Sequence, residues 1–223
     1  MGFIADFKAN RVANKAKATF EHKHMRWEQD SGIFKKINEA FTLASQGKDA
    51  VENSLVNKPG ECVLWHGQGS FHEAGKTPGH YEGSSQGVSI PIVGGIRYRV
   101  GAMRGTFVPG DEVQINKDLG DVYITTERLL FNGLTNSKEW AFDKWTGAIS
   151  DSTESNYLFH VSNRQKTSGI TFDAETGREF NRFLAQALHC AEDGIAAVLT
   201  ELKTVSKELV EKEPKLEEQT QPS

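Results

Sequence analysis

The sequence predicts an α+β fold: an antiparallel β-sandwich or partly open barrel, with a helical extension before it and a capping helix after it. Three observations carry this. The run Gly120 to Gly133 reads as a β-hairpin. Val122 and Ile124 alternate with polar neighbours, Thr125-Thr126-Glu127 is a tight polar connection, and Arg128 to Phe131 is a second strand closed by Asn132-Gly133. Period two marks a half-buried strand, and Asn-Gly is a hairpin turn signal. Next, β-branched and aromatic residues are enriched from Glu61 to Phe172, with Gly or Asn in the gaps. Lastly, Phe180, Leu184, Ala187, Ala191, Ile195, Val198, Leu202, Val205 and Leu209 recur about every 3.5 residues, as on one long helix.

The elements follow in chain order. Residues 1–56 form the helical extension. Phe34, Ile37, Phe41 and Ala44 recur at three and four, with Val51 and Leu55 continuing the stripe and Asp30-Ser31-Gly32 as a break before it. Upstream lies a basic, weakly amphipathic stretch: Lys8, Arg11, Lys15, Lys17, Lys23 and Arg26 against Asp6 and Glu21. Asn57-Lys58-Pro59-Gly60 punctuates the change to strand. The predicted strands are Glu61–His66, Ile96–Phe107, Glu112–Asn116, Val122–Thr125, Arg128–Phe131, Lys138–Phe142, Gly147–Ser150, Tyr157–Val161 and Gly169–Phe172. Ser70–His72 and Val88–Val93 are candidate short strands inside the glycine-rich span between the first two. Asp173 is the expected N-cap of the final helix, with Glu175 in its first turn. The β domain with its capping helix spans residues 57–200, and residues 201–223 are expected to be a helix extension and a disordered acidic tail. The second half of the long helix outruns a small domain, so it needs a partner, either residues 33–56 or a second copy.

Composition narrows the function classes. A net charge of -4 and a pI near 6.0 do not suggest a nucleic-acid binder. No apolar run approaches the roughly 20 residues of a membrane-spanning helix, and no secretory signal is visible. Cys62 and Cys190 are too few and too far apart for a disulfide framework. The expected location is the cytoplasm, with contact at a membrane surface as the alternative.

One stretch of the chain is similar to a known family. Gly120 to Phe131 resembles the "G-x-hydrophobic-x-hydrophobic-T-x-x-R-hydrophobic-x-F" signature of bacterial PH-like and GRAM-like domains. Lys138 to Phe142 with Lys144 matches the strand and basic residue that follow it there. Upstream, Ser84 to Ile92, then Gly95-Ile96-Arg97-Tyr98-Arg99-Val100-Gly101 and Arg104-Gly105, resembles an uncharacterised bacterial branch of that group, with its "R-x-G-x-x-R-G" pattern. The likeness covers roughly residues 59–200. Trp145 departs from it, where the family commonly has a small aliphatic residue. The resemblance implies a seven-stranded PH-type sandwich with a C-terminal capping helix and little about chemistry, since such folds host lipid, peptide and protein binding. Within it Gly120, Thr125, Arg128 and Phe131 are structural, Arg128 fixing a turn by bonding carbonyls.

Arg97 and Arg99 lie two apart and leave one face of a strand, with Arg104 following in the same hairpin. These three are the candidate ligand-binding residues, because a guanidinium fork grips phosphate oxygens with paired hydrogen bonds. The competing reading is a solvated face, or pairing with Asp111, Glu112 or Asp121. The basic segment 1–27 could lie on anionic lipid, although position 6 is Asp and does not fit a myristoylation motif. Cys62, His66, His72 and His80 fit no zinc spacing, and Trp65, Trp140, Phe142 and Trp145 read as core. No nucleophile elbow, P-loop or GxGxxG occurs. The expectation is a non-enzymatic module without metal or cofactor that binds a protein partner or self-associates through its helices. The alternatives are a peripheral adaptor on anionic lipid and, last, a metal-binding or enzymatic protein.

Overall fold

The structure is a computed structural model that describes residues 2–74, 80–82, 88–91, 97–100, 106–108, 114–164 and 166–215. It opens with helix α1, Gly2–Ala44, whose 43 residues span about 65 Å at 1.5 Å per residue. The expected break at Asp30-Ser31-Gly32 does not occur. Asp30 is fully buried and its carboxylate is held by Arg178 at 2.8 Å, so it does not serve as a cap. The helix also stops earlier than residue 56. Gly47 turns the chain with φ +72°, leaving Val51 and Leu55 in an irregular connection. The Asp49 carboxylate ties that connection to the sheet by accepting from the Val63 N–H at 2.7 Å.

The strands are β1 (Val63–Ala74), β2 (His80–Glu82), β3 (Val88–Pro91), β4 (Arg97–Val100), β5 (Thr106–Val108), β6 (Gln114–Thr125), β7 (Arg128–Gly133), β8 (Ser137–Ala141), β9 (Trp145–Ser150), β10 (Asn156–Val161) and β11 (Ser168–Thr171). Seven of them form one antiparallel sheet in the order β8-β7-β6-β1-β11-β10-β9, which is not closed into a barrel. β1 joins the two halves. It pairs with β6 along its length and with β11 from Ser70 to Glu73. Two small ribbons, β2-β5 and β3-β4, stand apart from this sheet.

Several strand boundaries differ from expectation for physical reasons. Glu61–His66 and Ser70–His72 merge into β1. The glycines between them are places of close approach: a Cβ on Gly67 would lie 2.3 Å from the Trp65 ring, and one on Gly69 2.5 Å from Ile170. Ile96–Phe107 is two strands with different partners, β4 on β3 and β5 on β2. Asn132 and Gly133 are ladder residues opposite Asp121 and Gly120, not the turn. The turn lies one step later because Asp118 organises it, accepting from the N–H groups of Thr135 and Asn136, both at 2.8 Å. Those bonds, led by the one from Thr135, hold the Asp118 carboxyl down at about 2.

The final helix is also two. α2 (Ala174–Asp193) is capped by Asp173, which accepts from the N–H groups of Glu175 and Thr176 at 3.0 Å each, as the sequence predicts. α3 (Ile195–Glu211) follows after Gly194, whose φ of +83° ends α2 and turns the chain. The apolar stripe continues across this break, and Val198, Leu202, Val205 and Leu209 are buried. Their partner is α1 of the same chain: the Trp27 indole N–H donates to Leu209 O at 2.8 Å, and His24 lies 3.7 Å from Glu213. Helices and sheet share one core, in which Ile37 and Phe41 of α1 join Phe131, Trp140, Tyr157, Phe159 and Phe180.

Candidate functional site

The structural residues of the hairpin converge on Glu61, which the sequence suggested only as a strand start. Arg128 donates through Nε to Glu61 Oε1 at 2.8 Å and through Nη2 to Oε2 at 2.9 Å. The Thr125 hydroxyl donates to Oε1 at 2.7 Å and accepts from the Arg128 N–H at 2.9 Å. Arg128 also reaches Glu139 at 3.0 Å and the Val56 carbonyl at 3.1 Å. It therefore fixes the turn mainly through carboxylates, with one carbonyl, because Glu61 is buried beside it and needs a cation. Burial would raise the Glu61 carboxyl, but the bonds from Arg128, Lys58 and Thr125 outweigh it and hold the group below its ordinary value. Gly120 is structural in the same sense, since a Cβ there would lie 2.3 Å from the Asn132 carbonyl, and Phe131 is fully buried.

Among the predicted ligand residues, Arg97 and Arg99 sit on β4, opposite Pro91 and Ser89 of β3. Arg104, Asp111 and Glu112 lie outside the described residues. Asp121, a suggested arginine partner, is taken by His66 at 3.0 Å. Cys62 is buried with its sulfur 3.9 Å from the Ala44 carbonyl, and His80 lies on β2. Among the described residues no group of three or more His, Cys, Asp or Glu could hold a metal. Trp65, Trp140 and Phe142 are buried, while Trp145 is only partly covered.

A concavity of about 880 Å³ lies between α1, the turn before β10 and the start of α2. Its floor is an ion network that sequence reasoning missed. Asp30 meets Arg178 at 2.8 Å and Arg182 at 3.5 Å, and Arg182 donates to Glu154 at 2.6 Å. Asn181 completes the set on Glu154 at 3.0 Å. Two guanidiniums against two carboxylates leave the cluster neutral, which suits a lock between helices. Glu154 is the one non-glycine residue among those described with positive φ, at 57°. The turn can press that closely on α2 because Gly177 has no side chain; a Cβ there would lie 2.1 Å from the Glu154 carbonyl. The spacing of Arg178 and Arg182, four apart on one helical face, was the available signal.

Two further surfaces matter. Toward its start α1 leaves the body. Arg11 and residues 14–19 are exposed, and Arg11, Lys15, His22 and Arg26 fall on one face at helical spacing. At the opposite end of α2 an open groove of about 490 Å³ lies at the start of β9, with Phe142, Trp145, Leu188 and Ala191 in its wall and Lys58, Glu127, Asp143 and Glu192 around it. No family model matches this chain, and neither does any curated protein or solved structure.

Proposed function

We propose that this chain is a non-enzymatic interaction module of PH-like type that binds a protein partner through its helical layer. The strand order supports the PH-like reading, since a four-stranded run, β1-β6-β7-β8, and a three-stranded meander, β9-β10-β11, join where β1 pairs with β11 and are followed by a helix. The observation that carries the binding reading is the projecting start of α1. A helix in a protein draws most of its stability from packing one face on a neighbour, yet here the side chains from Asn14 to Thr19 are all exposed. Such an arm gains order by resting on something else. Size-exclusion chromatography with light scattering, on the full chain and on one shortened by residues 1–22, tests assembly. The expected result is a complex with the full chain and a monomer with the shortened one. A monomer in both overturns assembly through the arm.

A second reading has its own observation, the basic stripe of Arg11, Lys15, His22 and Arg26. It fits a peripheral adaptor on anionic lipid, each cation near the surface contributing on the order of 1 kcal/mol. Sedimentation with phosphatidylserine vesicles at low and high salt tests it. Absence of binding at low salt removes that reading.

A further inference from the structure

The two edges of the seven-stranded sheet are β8 and β9, and they differ. An open edge presents unpaired N–H and C=O groups, and proteins usually defend it with charge or cover. β8 is defended. It carries Lys138 and Glu139, and the Arg164 guanidinium donates to the Glu139 carbonyl at 2.7 Å. β9 reads Trp-Thr-Gly-Ala-Ile-Ser, without a charged residue or a proline. Among the described residues no strand pairs with its outer side.

The ladder shows which groups face outward. The Asp151 N–H reaches the Asn156 carbonyl at 3.1 Å. Hydrogen-bonded pairs alternate with non-bonded pairs in an antiparallel ladder. Ile149 and Gly147 therefore bond to β10, and Ala148 and Ser150 turn their N–H and C=O away from it. The groove lies at the start of this edge, where Trp145 forms part of its wall. The Trp145 indole N–H is enclosed there and meets no acceptor among the described residues.

We propose that β9 is a strand-addition site, where an extended segment of a partner protein pairs with Ala148 and Ser150 and sets an apolar side chain into the groove beside Trp145, Phe142 and Leu188. Main-chain bonds supply the affinity and the groove supplies the choice of anchor. The rim makes the segment basic as well as apolar. It carries three carboxylates: Glu127 has Lys58 at 3.6 Å and Asp143 has Lys144 at 3.0 Å, which leaves Glu192 as the surplus negative charge. A second copy of β9 fits less well. Its strand carries no cation of its own to meet Glu192. This inference rests on reading the chain as an interaction module, but it uses a surface separate from the α1 arm.

The test uses the full chain and a panel of blocked, fluorescein-labelled decapeptides in which valine alternates with lysine around a central leucine, phenylalanine or tryptophan. Anisotropy should show saturable binding with a Kd below about 1 mM for at least one peptide. Ala148→Pro removes one outward N–H at a position where an edge strand tolerates proline. It should weaken binding at least about tenfold, as should alternate N-methylation of the peptide. Ala191→Trp, which fills the groove, should weaken the best anchor selectively. If Ala148→Pro fails to fold, the N-methylated peptides carry the test. The proposal is overturned if no peptide saturates, or if N-methylation leaves binding unchanged. It is also overturned if the protein is a dimer that Ala148→Pro dissociates, since the edge then belongs to a second copy. The peptides read β9 and light scattering on the shortened chain reads the arm, so either reading can fail alone.

Discussion

Asp30 and Arg178 lie 148 positions apart in sequence, yet their side chains meet at 2.8 Å in the interior and join α1 to α2. Asp30 has no exposed surface, and Arg182 supports it from one turn further along α2. A buried charge pair contributes little over an apolar pair of the same shape, but removing one member leaves the other uncompensated. Arg182→Ala, which takes the close cation from Glu154 and the farther of two from Asp30, should lower stability by about 1.5–3 kcal/mol in urea titration. The double change Asp30→Leu with Arg178→Met should cost clearly less than the sum of the two single changes.

The Glu61–Arg128 pair makes stability depend on pH in a definite direction. The Glu61 carboxyl is held below its ordinary value of 4.5 in the folded state. Below its own folded value it binds a proton in both states, and above 4.5 it binds one in neither. Between them the unfolded chain binds more protons, so stability falls as pH falls through that window. Melting temperatures recorded downward from pH 5 should show this slope, and Glu61→Gln should flatten it.

Two glycines should respond differently to alanine. At Gly194 nothing lies within 4 Å of the added methyl, so the cost comes from the backbone alone, which at φ +83° and ψ 165° suits little but glycine, about 1–3 kcal/mol. At Gly177 the methyl meets the Glu154 backbone carbonyl, and the Tyr157 hydroxyl bond to Gly177 O at 2.9 Å is strained with it. Gly177→Ala should therefore cost more than Gly194→Ala, by at least about 1 kcal/mol in the same urea titration.

Both thiols are buried, and burial pushes Cys190 up to about 11 and raises Cys62 as well. The thiolate is the reactive form. At pH 8 neither residue should react with a chromogenic disulfide reagent in the native protein, and both should react at once in concentrated urea. Fast native labelling of one thiol would mean that the helical layer opens around it.

The legible parts of this fold are the local ones. Val122 and Ile124 declare their strand by alternation, and Asp173 declares its cap by position, because neighbours in sequence decide both. Asp30 misleads for the opposite reason. Beside Ser31 and Gly32 it looks like a helix start, and only arginines from α2 convert it into an interior residue. Gly194 is hidden because the apolar stripe keeps its spacing across the break. Gly67 and Gly69 look like punctuation, whereas they make room for Trp65 and Ile170 inside one long strand. Among the candidate ligand residues, Arg97 and Arg99 fall on one strand, β4. Arg178, Arg182 and Glu154 carry no local mark of the network they form, apart from the four-residue spacing of the two arginines.

The reversal at Gly194 also decides where this molecule can be handled. α3 runs back along α1 until Glu213 stands beside His24, so the chain's last described turn lies at the root of the arm. A fluorophore attached at Glu213 would crowd that root and interfere with whatever rests on it. A dye on the exposed loop residue Leu134 would leave the arm, β9 and the helical layer untouched.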